Sequence, residues 1–445
     1  WVVIWQKPTA TGLLERLRPD IYVKGREYEF NHDPRFLEEQ SVVEGYGGRV
    51  VFTSGDVIFS STALIRSLEG MLPSTQTTLG GLLRRHAPAV EALDEWIERF
   101  RGRRVVVAGE TVVDTYVLCD RPDVAGEAPV MTLRPIEERR YDGGAAIIAR
   151  HLAAMGARPV LLSPMPPGPE SQALQLRLEV EGIEVVPVPV AGAMPEKQRY
   201  LVGAVKVMKV DLARPMVLDA SAQARTRSAL LSHARRSDAV ILVDFGLGFW
   251  SAGMLETTAR AVRPVAGFLA GDVSGRRASL MSMIGADLLM PSEAELRDAL
   301  HDYESGLNAA AWSCLDRTGA RGLVVTMAEE GCVAFTRRSD VQADEADWPT
   351  RLDAVPVPAL TRLPIDPLGC GDAMLAATVL SCISGAPLDL AALIGSVASA
   401  AQAQRLGNVV ISSADLRAGA ARLRDAQPAF DPVAGSSLLR PERAW

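Results

Sequence analysis

IDPLGCGDAMLAATVLSCISG, residues 365–385, joins a glycine turn to an apolar helix rich in small residues. Gly369, Cys370 and Gly371 form a G-x-G turn at the point where the helix opens. A helix N-terminus carries N–H groups without intrahelical partners and a partial positive charge, and glycine lets the backbone approach a ligand closely. Together these features suit phosphate oxygens, including those of a phosphoryl group in transfer. Asp372 falls in the first turn, where a carboxylate can accept a proton from an attacking hydroxyl. An aspartate that merely caps a helix after a glycine turn has the same local sequence, and a lone G-x-G carries little specificity.

Outward from this stretch the chain alternates strand and helix, which predicts an α/β fold with a parallel sheet. Toward the N-terminus, VVVAGE (105–110), PVLLSP (159–164), EVVPVPV (184–190), AVILVDFG (239–246), DLLMP (287–291), GLVVTM (322–327) and CVAFT (332–336) have strand character. Toward the C-terminus one helical region is expected from GDAMLAATVL to AQAQRLG, and residues 426–445 form a proline-rich, loose tail. Residues 1–70 alternate on a smaller scale: TGLLERLRPD helical, IYVKG a strand, DPRFLEEQSVVEGYGG helical, RVVFTSG a strand and SSTALIRSLEG a capped helix. Residues 71–100 read as a helical connector.

The 445 residues exceed the size at which one core stops growing, so two domains are expected. A formal net charge of −7 argues against a generic nucleic-acid binder but not against a nucleotide ligand. Five scattered cysteines with no C-x-x-C pair point to neither zinc nor disulfides, hence to a reducing cytoplasm. No apolar run reaches the roughly eighteen residues of a membrane span. The start, WVVIWQKPTA, lacks a basic leader, a cleavage site and a methionine, and is taken to begin within a domain.

Four ordered motifs over residues 101–420 resemble the ribokinase (PfkB) carbohydrate kinases. D-P-L-G-C-G-D (366–372) is similar to the family's D-T-x-G-A-G-D. Asp142-Gly143-Gly144-Ala145-Ala146 resembles its N-terminal G-G signature. Asp114, in VVVAGETVVDTYVLCD, matches an aspartate that binds sugar hydroxyls, and KQRYLVGAVKVMKVD resembles a K-x-R strand pair over the active site. Within the family, Glu127-Ala128-Pro129-Val130, VDFGLG (243–248) and DLLMPSEAEL (287–296) are similar to the heptose-phosphate kinase domains of bifunctional ADP-heptose synthases. The resemblance implies a ribokinase-like three-layer sandwich around a mostly parallel sheet. It implies ATP and Mg²⁺, a sugar or sugar phosphate as acceptor, and a homodimer. Asp372 is then the catalytic base beside the Gly369-Cys370-Gly371 turn. Asp114, Gly143, Gly144, Lys197 and Arg199 bind the acceptor, Thr326, Gly331 and Asp366 serve the nucleotide, and Glu295 with Ser292 serves the metal.

Residues 1–70 resemble the last part of the nucleotidyltransferase domain of the same enzymes, a partial Rossmann-like segment in which Lys24, Ser61 and Thr62 correspond to sugar-phosphate and nucleotide contacts. The H-x-G-H motif of that domain is absent from this sequence, so nucleotidyl transfer is not expected of it. Several kinase positions also depart from the pattern. Ile147 replaces an asparagine that touches sugar, Ser292 replaces an amide, and Ala328 stands where glycine is usual, which is expected to shift its loop. Cys370 is expected to be a packed side chain, and His151 to lie on a helix surface. These departures leave open a catalytically degenerate binding or scaffold module that holds a nucleotidyltransferase partner, as the alternative to an active kinase.

Overall fold

The structure is a computed structural model and describes residues 5, 9–24, 34–52, 75–120, 122–124, 127, 130–203, 205–274, 279–338, 351–361 and 364–426. The chain divides into two compact units, Trp1–Ser74 with His301–Ala310, and Thr75–Leu300 with Ala311–Trp445.

In the first unit, α1 (Thr11–Leu17), β1 (Ile21–Lys24), α2 (Pro34–Gly45) and β2 (Arg49–Phe52) follow the expected alternation, and β1 pairs with β2 in parallel. Glu39 of α2 is 5% exposed and binds this unit together. It accepts from the Ala10 amide at 2.7 Å and the Tyr22 hydroxyl at 2.8 Å, and the Lys24 ammonium lies 2.8 Å away.

The second unit begins with α3 (Thr75–Arg85), α4 (Ala87–Glu91) and α5 (Leu93–Glu98). This is the segment read as a connector, and it is packed. Leu82, Leu83, Val90, Leu93 and Ile97 belong to the main core, and His86 Nε2 sits 2.8 Å from Asp389 Oδ2. Apolar side chains at these spacings make a stripe that has to be covered, and the core covers it.

The strands that follow are β3 (Arg104–Gly109), β4 (Thr111–Cys119), β5 (Asp123–Val124), β6 (Met131–Thr132), β7 (Pro135–Gly144), β8 (Arg158–Met165), β9 (Glu184–Pro189), β10 (Glu196–Val202), β11 (Val205–Leu212), β12 (Ala239–Asp244), β13 (Leu269–Val273), β14 (Leu288–Leu289), β15 (Gly322–Thr326), β16 (Cys332–Arg337) and β17 (Leu352–Val357). The intervening helices are α6 (Ala145–Ala154), α7 (Pro169–Val180), α8 (Ala220–Ala234), α9 (Ala252–Val262), α10 (Glu293–Leu300), α11 (Leu307–Thr318), α12 (Cys370–Ile383), α13 (Leu388–Ala403) and α14 (Ser413–Ala426). The expected single helical region after residue 370 is two helices. Gly385, at φ 97°, and Pro387 break it, because the first takes a left-handed turn and the second has no N–H to continue a helix.

Among the described residues nine strands form the central sheet in the order β17-β16-β15-β14-β13-β12-β3-β8-β9, parallel except at β16 and β17. Its inner strands are buried on both faces. Val105 and Val107 of β3 and Ile241 and Val243 of β12 join the cluster that contains Ile148, Leu152, Ala376 and Leu380. Their neighbours Val106, Ala108, Val240 and Leu242 are equally inaccessible but point the other way. Continuous apolar runs of this kind are what a parallel sheet between two helical layers requires. α12 packs on both α6 and α13, and α8 packs on α9. The result is a ribokinase-like three-layer α/β fold. A second sheet, β11-β10-β4-β7, stands apart from the first and brings its own side chains to the carboxyl ends of the central strands.

His151 of α6 is not a surface residue: it is 0% exposed. Its Nδ1 accepts from the Ile411 amide at 3.0 Å, and burial pushes its pKa down to about 3, so it stays neutral. The reason lies in packing, since α6 is covered by the sheet on one side and by α12 on the other.

Candidate active site

Where the second sheet meets the carboxyl ends of β12, β13 and β15, a cavity of about 370 Å³ opens. Asp114, Gly144, Lys197, Arg199, Ser292, Glu295, Thr326, Gly371 and Asp372 line it, as do Lys209, Phe245, Asp272 and Asn408, which were not singled out in the sequence.

Asp372 enters from the first turn of α12. Burial first, then the nearby Asp114 charge, pushes its carboxyl up to about 7, while Lys197 opposes the shift. A base with that pKa is matched to proton transfer near neutral pH. The turn before it is set by Gly369, the N-cap, at φ 75° and ψ 1°. Cys370 Sγ lies 3.5 Å from the Ser399 carbonyl, and burial pushes its thiol up to about 11, which favours the protonated form. Gly371 has nothing within 4 Å of the place a Cβ would occupy, so its backbone faces open space.

Asp114 lies in β4, 5% exposed, and not in a solvated loop. Arg199 donates to one carboxylate oxygen, and Asn408 Nδ2 donates to the other at 3.0 Å. Gly143 makes room for this group, since a Cβ there would stand 2.2 Å from Asp114 Oδ2. Gly144, at φ 63°, lets the chain turn from β7 into α6. Lys197 is different from Arg199: among the described residues it has no carboxylate within ion-pairing distance and lies 5.5 Å above the Phe245 ring. Burial holds its ammonium below the usual range, and Asp114 counters this in part.

On the opposite wall, Ser292 and Glu295 cap α10 reciprocally. The Ser292 amide and hydroxyl donate to Glu295 Oε2 at 2.8 and 2.7 Å, and the Glu295 amide donates back to Ser292 Oγ at 3.3 Å. Asp272, at the end of β13, faces this pair. Burial first, then the charges of Glu295 and Asp372, push its carboxyl well above the ordinary range. Asp272 and Glu295 bring two carboxyl groups to the same cavity, and a divalent cation would relieve their repulsion. Among the described residues no cluster of three or more metal-ligating side chains is pre-formed. Mg²⁺ keeps several waters and uses one or two carboxylates together with phosphate oxygens, a number of ligands that Asp272 and Glu295 can supply.

Asp366 and Gly331 do not line the cavity. Asp366 is 0% exposed and is fully engaged by Tyr116, Lys206, Leu368 and Gly407. Gly331, at φ 97°, forms the β15–β16 turn, where a Cβ would strike the Val357 carbonyl at 2.2 Å. Lys24 belongs to the first unit, where Glu39 engages it. Ser61 and Thr62 lie outside the described residues.

Residues 103–413 match the pfkB family carbohydrate kinases. The chain belongs to that family.

Among relatives of this pfkB kinase is the "Bifunctional protein HldE" of Pelobacter propionicus, 25% identical over 334 residues, which cover 73% of this chain and 65% of that protein. The protein of the same name from Azorhizobium caulinodans is 29% identical over 330 residues, covering 72% and 64%. The chain thus spans somewhat less than two thirds of the length of these relatives. Among solved structures, phosphofructokinase-2 from Escherichia coli in complex with potassium superposes with a TM-score of 0.59 at 18% identity, over 73% of this chain and 99% of that one. Ribokinase from Thermotoga maritima gives 0.53 at 17%, over 71% and 99%.

Ala328, at the position where glycine is usual, takes the left-handed conformation itself, at φ 50°. A non-glycine residue there costs about 1–2 kcal/mol. Ala328→Gly is therefore expected to stabilise the second unit by about 1 kcal/mol. Denaturant unfolding checks this, and a destabilised variant would contradict it.

Proposed function

We propose that the protein transfers the γ-phosphoryl group of ATP to a hydroxyl of a sugar phosphate, with Asp372 as general base. The observation that carries this reading is that Asp372, Asp114 and the amide end of α12 open to one cavity. Asp372 takes the proton from the acceptor hydroxyl. The freed oxygen forms a bond to the γ-phosphorus, the bond from that phosphorus to the bridging oxygen breaks, and ADP leaves with the electron pair. The amides at Gly371 and its neighbours face the transferring oxygens. Asp114, held by Arg199 and Asn408, binds acceptor hydroxyls. Asp272 and Glu295 would hold Mg²⁺, which supplies neutralisation of phosphate charge when bound. A non-catalytic binding module is less well supported, because it gives no use for a carboxyl tuned to about 7 at the end of a phosphate-binding turn.

Lys197 is what favours a phosphorylated acceptor over a plain sugar. A cation inside a cavity, with no carboxylate within ion-pairing distance among the described residues, is suited to an anion brought by the ligand. Lys197→Met is expected to raise KM for a phosphorylated acceptor by about 10- to 100-fold and to leave turnover of any unphosphorylated sugar nearly unchanged. The experiment is ADP release from Mg-ATP with matched panels of sugars and sugar phosphates. A purified protein that binds ATP yet consumes none with either panel sinks the proposal. Equal effects of Lys197→Met on both panels remove the phosphate from it.

A further inference from the structure

Asp366 precedes the glycine turn by three residues and carries no exposed surface. Each of its carboxylate oxygens has two donors. Oδ1 accepts from Lys206 Nζ at 2.6 Å and from the Leu368 amide at 3.0 Å. Oδ2 accepts from the Tyr116 hydroxyl at 2.5 Å and from the Gly407 amide at 2.9 Å. The two amides belong to the turn before α12 and to the loop after α13. The two side chains belong to the other sheet, Tyr116 to β4 and Lys206 to β11. Burial alone would raise this carboxyl, but Lys206, Tyr116 and the amides outweigh it and hold it below the ordinary range.

Lys206 reaches Asp366 because β11 is irregular. By simple alternation Lys206 would share a face with Met208, which is 45% exposed. The β10–β11 register shifts between Tyr200 and Leu201, so that Tyr200 pairs with Met208 but Leu201 pairs with Lys206. Leu201 is 1% exposed. The irregularity thus turns Lys206 to the face that carries Leu201, where its ammonium reaches Asp366 although its stem stays partly exposed, and re-aiming a side chain is a common use of a bulge. Lys206 and Arg199 both lie against the Tyr116 ring, at 5.5 and 5.9 Å, and Arg199 is the partner of Asp114. A contiguous set of contacts therefore runs from the acceptor wall of the cavity to the turn that presents the α12 amides.

We infer that Lys206 and Tyr116 act through Asp366 as a latch by which the second sheet fixes the turn at the start of α12. Lys206 is a positioning residue, and its value to phosphoryl transfer rests on the function proposed above. The latch itself does not. A carboxylate gripped by backbone amides alone would hold the turn whatever the sheet did. One whose counter-charge comes from β11 holds it only when the sheet is seated.

Hydrogen–deuterium exchange on the full chain tests this. In Lys206→Met, the amides of Leu368 and Gly407 are expected to exchange on the order of tenfold faster, with the strands of the central sheet unchanged. Methylammonium at tens of millimolar is expected to reverse the effect by restoring a cation beside Asp366. Tyr116→Phe keeps the ring and removes only the hydroxyl, so it is expected to loosen the same amides with no response to methylammonium. Unchanged exchange in both variants overturns the latch, as does uniform acceleration over the whole chain. A local rise in Lys206→Met that methylammonium fails to reverse also overturns it, because it makes Lys206 a packing residue. ATP affinity, measured alongside, separates the two ideas. Wild-type protein that binds no ATP refutes the kinase reading and leaves the exchange result to decide the latch.

Discussion

Asp372→Asn is expected to lower kcat by about 100- to 10,000-fold and, above pH 7, to raise thermal stability. The two effects have one cause. Burial and the Asp114 charge raise the Asp372 carboxyl from its ordinary value to about 7, so the folded protein binds this proton more tightly than the unfolded chain does. Stability from this group therefore falls as pH rises through the interval between the unfolded value and about 7, and the full cost of the buried carboxylate is present above it. Asparagine removes the charge and keeps the shape, so the variant's advantage in melting temperature is small near pH 4 and grows to a plateau above pH 7. Glu110, a buried carboxyl also raised to about 7 by burial and by Asp244, contributes to the pH dependence of both proteins alike, so the difference between them isolates Asp372. In the wild type, kcat/KM is expected to rise with pH through an apparent pKa near 7, as the base loses its proton. Coupled measurement of ADP release and calorimetric scans at pH 5 and pH 8 check both arms. A variant within threefold of wild-type kcat contradicts the role of general base. A melting difference independent of pH contradicts the electrostatic cause.

Much of this architecture was legible because buried parallel strands leave an unmistakable trace. VVVAGE, PVLLSP and AVILVDFG are apolar on both faces, and each became a strand of the central sheet. Short or punctuated strands left less. LAGDV (269–273) contains a glycine and an aspartate within five residues, and LDAVPV (352–357) contains a proline, so neither stands out as a strand. The same weakness hid Asp272, which becomes a site residue only because β13 ends at the cavity. Asn408 gave no local signal at all, since its relation to Asp114 spans almost the whole second unit and is made by tertiary packing. Asp366 was visible as a motif position, but its surroundings were not: no spacing in sequence foretells that a register shift turns Lys206 to the face from which it reaches Asp366. The Ser292–Glu295 pair was open to a plainer reading, because S-x-x-E before an apolar helical stretch is a capping box, and that is the contact the pair makes.

The glycines of the G-x-G turn offer the sharpest separation of fold from chemistry, because an added methyl group should act oppositely at the two. Gly369→Ala is expected to destabilise the second unit by about 2–5 kcal/mol. Gly369 sits at φ 75°, and its new Cβ would fall 1.9 Å from Asn408 Oδ1. Asn408 is 3% exposed and holds Asp114, so it has little room to withdraw, and any movement it makes disturbs the acceptor wall. Gly371→Ala meets no atom within 4 Å and needs no left-handed backbone. It also places alanine in a helix where glycine is less favourable by about 1 kcal/mol, so this variant should fold at least as well as the wild type. Yet its methyl group projects toward the space that phosphate oxygens would fill, and nucleotide affinity should fall by at least tenfold. Denaturant unfolding and ATP calorimetry on both variants give the check. If Gly371→Ala binds ATP as the wild type does, the amide end of α12 is not where the phosphates lie. If Gly369→Ala is as stable as the wild type, the contact between the turn and Asn408 is not what shapes the site.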